Sequence, residues 1–201
     1  MKVALYSGGK ESVYAALKEW PVDLFLFLIY DFPRPSPHLL NLPVAVRLGS
    51  EMAPVVVKRL TKGREFQEKA ELLKKLGAEV IVAGDVDVDE HLKYMEKLAG
   101  EVGAELREPL WGQDHLELLY KEVEELRFLV VGSRARNLLC VEVGRENVEE
   151  FVKLVREAGV DPLGEYGDYH SQVLEAPRLG ARVEARCREV RDYGGYYVAL
   201  L

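Results

Sequence analysis

The chain has 201 residues, 48% of them hydrophobic and 30% charged, with a formal net charge of −7. That length can bury the core of one domain or of one and a half, and the acidic balance excludes strong generic binding to nucleic acid, which needs a basic field. Cys140 and Cys187 lie far apart and in no C-x-x-C pair, which excludes a disulfide framework or a zinc site and leaves two separate small apolar residues as the expectation.

Val3 to Tyr6 is an apolar run that reads as a strand, and it leads straight into Ser7-Gly8-Gly9-Lys10-Glu11-Ser12. A helix pattern follows from Glu11 to Trp20, with Val13, Ala16, Leu17 and Trp20 on one face and Pro21 ending it. A strand that turns through small residues into a helix gathers backbone N–H groups and the positive end of a helix dipole around one anion. Two glycines admit that anion without an intervening Cβ, while Ser7, Ser12 and Lys10 add hydroxyls and a mobile positive charge. The expected anion is a phosphate. The turn is neither G-x-x-x-x-G-K-[ST] nor G-x-G-x-x-G, so kinase-like, GTPase-like and dinucleotide sites are unsupported.

Val22 to Tyr30 is almost continuously apolar, as in a central parallel strand. Within it Leu24 to Tyr30 is the longest apolar stretch, too short to span a membrane, and with no signal peptide before the first strand a cytoplasmic protein is expected. Asp31 to Pro43 carries four prolines, so any helix there is short or irregular. Val55 to Lys58 reads as a strand, Arg64 to Leu76 as a helix closed by Gly77, and Glu79 to Ala83 as a fourth strand. Leu92, Met95, Ala99 and Val102 mark another helix, stopped by Gly103.

This alternation predicts an α/β fold with a parallel sheet. Beyond Pro109 the pattern changes: a helix from Asp114 to Glu125, a strand from Phe128 to Gly132, and a helix through Val148, Phe151, Val152, Val155 and Ala158 to Gly159. Gln172 to Glu175, Ala181 to Val190 and Tyr196 to Leu201 are strand-like and suggest an antiparallel addition. The expected division is a nucleotide-binding domain over residues 1–106 and a smaller α+β domain over 107–201 that shapes the acceptor site.

Gly84 and Asp85 follow the end of a strand, where ligands bind in open α/β sheets, and are expected to line the nucleotide pocket. Asp87 and Asp89 suit the acidic first turn of the following helix; Glu90 stands where a calcium loop needs glycine, which excludes that motif. Glu165 and Asp168, in a loop with Gly164 and Gly167, could accept a proton or bind a metal ion; His170 is a base or a strand-start residue. Glu11 could help place Mg²⁺ or simply complement the helix dipole. His38 and Asn41 are assigned to the pocket mouth, Trp111 to loop packing, and His91 and His115 to the surface.

SGGKES resembles the SGGKDS signature of the PP-loop, or N-type ATP pyrophosphatase, superfamily. Glu108-Pro109-Leu110-Trp111-Gly112-Gln113-Asp114 resembles the APLWGRD segment of diphthine–ammonia ligases, and Gly164 to Pro177 resembles their GEGGEYETLVLDAP segment. The resemblance implies a PP-loop domain (adenine nucleotide alpha hydrolase-like) in which Ser7, Gly8, Gly9, Lys10 and Ser12 hold ATP with Mg²⁺, and Lys10, Glu165 and Asp168 are catalytic. It implies amidation of diphthine, a modified histidine of elongation factor 2, by ammonia, through an acyl adenylate with release of pyrophosphate. Such ligases usually carry a basic, hydroxyl-bearing segment where this chain has the acidic Gly84 to Leu92, and a glycine and a glutamate where it has Tyr166 and Asp168. A different acceptor, such as a tRNA base or a small carboxylate, and a nucleotide-binding module without turnover therefore stay open. The oligomeric state, a homodimer included, and the metal ligands are not readable.

Overall fold

The computed structural model describes all 201 residues. In chain order the elements are β1 (Lys2–Leu5), α1 (Lys10–Lys18), β2 (Leu24–Ile29), α2 (Pro37–Leu40), α3 (Leu42–Ser50), β3 (Val55–Arg59), α4 (Glu65–Leu76), β4 (Val80–Val82), α5 (Asp89–Val102) and β5 (Glu105–Arg107). They continue with α6 (His115–Glu125), β6 (Arg127–Ser133), β7 (Glu142–Val143), α7 (Val148–Ala158), β8 (Tyr169–Ala176), β9 (Ala181–Arg182), β10 (Glu189–Asp192) and β11 (Tyr197–Leu200). Contacts group these into two units. The first comprises Met1–Ser7, Glu11–Pro33 and Ala53–Gln113; the second comprises Gly8–Lys10, Arg34–Met52 and Asp114–Leu201.

The first unit is α/β, with a five-stranded parallel sheet in the order β3-β2-β1-β4-β5. β1 is central, Val3 pairing with Leu24 on one side and Ile81 on the other. The apolar stripes of α4 and α5 cover the sheet through Ala70, Leu73, Met95, Leu98 and Ala99, packed on Val3, Leu26 and Ile81. β5 escapes sequence reading because it has one apolar residue, Leu106, between Glu105 and Arg107.

The second unit carries a separate antiparallel sheet in the order β10-β11-β6-β8-β9, with β7 also on β6. α3, absent from the sequence reading, packs against β8. Pro43 lies in its first turn, where the missing N–H costs no helical hydrogen bond. Arg34–Met52 belongs to this unit for a further reason: the buried Asn41 side chain donates to Ala199 O at 2.9 Å and accepts from Leu201 N at 3.0 Å.

Two expectations are corrected. The strand over Ala181 to Val190 is broken into β9 and β10: Val183 N still donates to Leu174 O, but no strand runs over 183–188. Cys140 and Cys187 are not separate apolar residues but a disulfide, their Cα atoms 6.0 Å apart. Pairing follows from tertiary proximity: Cys140, with a left-handed φ of 65° and its N–H on Val130 O, faces the irregular segment that carries Cys187. No helix is long and apolar enough to cross a membrane. Thiol alkylation of the denatured chain is expected to label neither cysteine until a reductant is added; labelling of both without reductant would disprove the bond.

Candidate functional site

A cavity of about 640 Å³ opens in the first unit at the carboxyl ends of β1 and β4. Strand order reverses at β1, between β2 and β4, and such a reversal splays the flanking connections and leaves a crevice. Ser7 continues β1 into the cavity wall, and Glu11 and Ser12 add the first turn of α1. The Ser12 hydroxyl accepts from Ser7 N–H at 3.2 Å and lies 3.2 Å from the Ser7 hydroxyl, so the two serines hold the turn closed. Gly84 continues β4. A Cβ there would lie 2.8 Å from the Glu11 carbonyl oxygen, so only glycine lets the end of β4 approach the start of α1. The opposite wall is apolar and aromatic: Leu26, Leu28, Tyr30 and Phe32 from β2 and its continuation, with Tyr94 and Met95 from α5. Tyr30 and Phe32 stack at 5.5 Å.

Ionisable groups gather at the β4 end. Glu108 Oε2 accepts from Asp85 N–H at 3.1 Å, and Glu108 Oε1 is buried without a hydrogen bond. Burial, reinforced by the neighbouring Asp85 carboxylate, pushes Glu108 up to about 8, so its carboxyl is mostly protonated at neutral pH. His91 Nδ1 lies 3.1 Å from Asp85 Oδ1; the histidine is exposed, as expected, and also borders the cavity. Lys69, on the inward face of α4, is 3% exposed. Burial pulls its ammonium down to about 8, against the opposing pull of Asp85. Burial likewise raises the Tyr30 hydroxyl above its ordinary value.

The other expected site residues lie in the second unit, where hydrogen bonds and packing hold them. Gly8 adopts φ +82°, its carbonyl accepting from Val173 N–H at 2.8 Å, and an added Cβ would lie 2.7 Å from Ala45 Cβ. Lys10 is not placed as a mobile charge. It is 1% exposed, with Nζ donating to Leu163 O, 3.8 Å from Glu122 Oε2 and 5.1 Å from the Tyr169 ring centroid. Its backbone N–H donates to Ser171 Oγ at 3.1 Å. A buried ammonium needs such partners because bare burial is costly.

Asp168 is similarly committed: Oδ1 pairs with Arg134 Nε at 3.0 Å, and Oδ2 accepts from Asp161 N–H at 2.7 Å. Glu165 N–H donates to Asp161 Oδ1 at 3.2 Å, so Asp161, unremarked in the sequence, organises this loop. Asp161 also pairs with His115 at 2.6 Å. Tyr166, where the related segment has glycine, keeps a left-handed φ of 59°. His170 Nδ1 bonds the Tyr196 hydroxyl at 2.5 Å, and its ring meets that of His38 edge-on at 5.3 Å. Burial, then the charges of His170 and Lys10, drive His38 down to about 3.

Of the expected site residues, the cavity wall therefore contains Ser7, Ser12, Gly84 and Asp85, while Gly8, Gly9, Lys10, Glu165 and Asp168 are not part of it. Sequence reading missed Lys69, Tyr30, Phe32, Tyr94 and Glu108. Lys69 had a signal: it stands three residues after Phe66 and four before Leu73, a lysine on the apolar stripe of a helix.

The donors and walls fit a nucleotide: serine hydroxyls and a helix start at one end, aromatic faces at the other. No three His, Cys, Asp or Glu side chains converge on a metal position, so Mg²⁺ would have to share ligand oxygens, with Glu11 the nearest carboxylate to the turn.

Residues 1–106 match the family model described as "Diphthamide synthase N-terminal domain", and residues 114–198 match "Diphthamide synthase C-terminal domain". A crystal structure described as a predicted subunit of tRNA methyltransferase from Methanocaldococcus jannaschii is a distant likeness. It is 15% identical, with a TM-score of 0.45, covering 88% of this chain and 96% of its own. No curated protein matches by sequence.

Lys10→Met leaves the Glu122 carboxylate buried beside an apolar side chain and is expected to cost about 3–5 kcal/mol in urea denaturation, with Glu122→Gln in the same chain restoring most of it. An unchanged midpoint in the single variant would refute the structural role. Glu108 has a raised pKa in the folded state, so its contribution is fully present below the ordinary 4.5 and is lost as pH rises through about 8. The stability of Glu108→Gln relative to the parent should therefore rise with pH across that window; a flat difference would contradict the shift.

Proposed function

The chain belongs to the diphthamide synthase family, and on that premise we propose that it is an ATP-dependent amide ligase forming AMP and pyrophosphate. Membership implies an enzyme of diphthamide synthesis within the PP-loop class, whose members use ATP with Mg²⁺. The proposed acceptor is the diphthine carboxylate of elongation factor 2, the nitrogen donor is ammonia, and the setting is the cytoplasm. The observation that carries the reading is the cavity at the strand-order reversal, with its serine-closed turn facing an aromatic wall.

In this reading the acceptor carboxylate oxygen bonds to the α-phosphorus as pyrophosphate leaves, and ammonia then displaces AMP from the acyl carbon with loss of a proton. Ser7, Ser12 and the first N–H groups of α1 donate to the departing pyrophosphate, where negative charge grows. Mg²⁺, when bound, would neutralise part of that charge. The Tyr30 and Phe32 rings offer a flat surface for the purine, and the apolar walls exclude water that would hydrolyse an activated acyl group. Lys10 contributes as a positioning residue for Gly8 and Gly9, and Glu165 and Asp168 belong to a loop braced by Asp161 and Arg134.

Asp85 on the cavity wall, in a segment that is acidic here and basic in the related ligases, favours a second reading in which the acceptor differs. Purified protein with ATP, Mg²⁺, ammonium and diphthine-bearing elongation factor 2 should release pyrophosphate above background. Gly84→Ala should weaken ATP binding, since the new methyl must displace the Glu11 backbone at a cost of roughly 1–3 kcal/mol. Turnover with another acceptor alone would move the assignment to the second reading; ATP binding without any turnover would leave a nucleotide-binding module.

A further inference from the structure

Lys69 is as buried as a core leucine, yet the contacts of its ammonium are ring faces, Tyr94 at 4.6 Å and Tyr30 at 5.2 Å, rather than oxygens. Ring faces attract a cation but do not satisfy three N–H donors as oxygens do, and a buried charge left in that state is expensive. The expense is tolerated where a ligand supplies the missing acceptors. Lys69 lies in the cavity wall, so the space its donors face is the space a ligand would fill.

The charge balance identifies the ligand group. Lys69 is the one lysine or arginine lining the cavity, against the carboxylates of Glu11, Glu65 and Asp85. The segment from Gly84 to Leu92, which bounds the same space, supplies no lysine or arginine. An anionic ligand therefore meets three negative groups and a single fixed cation, on α4. Neutral acceptors would satisfy the donors but leave the desolvated charge unmatched; a phosphate does both.

We propose that Lys69 is the anion-binding residue of this cavity, its Nζ donating to oxygens of the phosphate that joins the nucleoside to the departing pyrophosphate. The assignment rests on the nucleotide reading above and deepens it by naming the residue that reads the α-phosphate. AMP and adenosine differ by that phosphate alone, so the pair isolates the interaction.

Calorimetry is run with both ligands on the unaltered chain, Lys69→Met, which keeps the length and apolar packing, and Lys69→Arg, which keeps the charge. Lys69→Met should weaken AMP by about 10–100-fold and adenosine by less than about twofold, and Lys69→Arg should recover part of the AMP affinity. Undiminished AMP affinity in Lys69→Met, or equal losses of AMP and adenosine, would overturn the proposal. If the unaltered chain binds neither nucleoside compound, the nucleotide reading fails on its own. Inorganic phosphate, titrated while the Lys69 side-chain carbon resonances are followed, then decides this one: a saturable shift supports an anion site, and an unmoved resonance removes it.

Discussion

The whole first unit depends on one constraint, that β1 is paired along both edges with parallel strands whose connections leave in opposite directions. Val3 is held by Leu24 on one side and Ile81 on the other, so β1 cannot shift without breaking two ladders. At its carboxyl end the strand order reverses, and the cavity opens there. Ser7 emerges there, Gly84 and Asp85 emerge beside it, and the first turn of α1 closes over them at a distance only glycine permits.

Around that opening, burial and charge together set the protonation of two groups, acting in the same direction on Glu108 and in opposite directions on Lys69. Glu108 is pushed toward its neutral form first by burial and then by the neighbouring Asp85 carboxylate. Lys69 is pushed the same way by burial and pulled back by Asp85. Asp85 is thus the hinge of the local electrostatics: it touches Glu108 through its backbone N–H, His91 through its carboxylate, and Lys69 through the field. A site of this kind holds ionisable groups close to their switching points at neutral pH, which is where proton-handling chemistry needs them.

The second unit shows that a residue's place in a signature does not fix its task. Lys10, central to the glycine turn in sequence, spends its ammonium on Leu163 and Glu122 and on aromatic faces. Asp168 spends its carboxylate on Arg134 and the Asp161 N–H. Both hold the backbone near them in place. The disulfide between Cys140 and Cys187 adds a covalent closure to the irregular segment 183–188 between β9 and β10.

Residue order alone specified the α/β alternation, the glycine turn at the end of β1, the helices ending at Gly77, Gly103 and Gly159, and the family, because periodicity and short motifs are properties of neighbours in the chain. It could not specify α3, which Pro43 and the prolines before it hide and packing on β8 stabilises, or the break between β9 and β10, where alternating charge imitates a strand. Nor could it reveal most of the side chains that line the cavity. Lys69, Tyr30 and Tyr94 come from three separate stretches of chain, and whether each is solvated, paired or stranded depends on what folds around it. Local sequence decides which conformations are cheap, whereas burial, proximity and shared desolvation exist only once distant segments meet, and those three decided the character of this site.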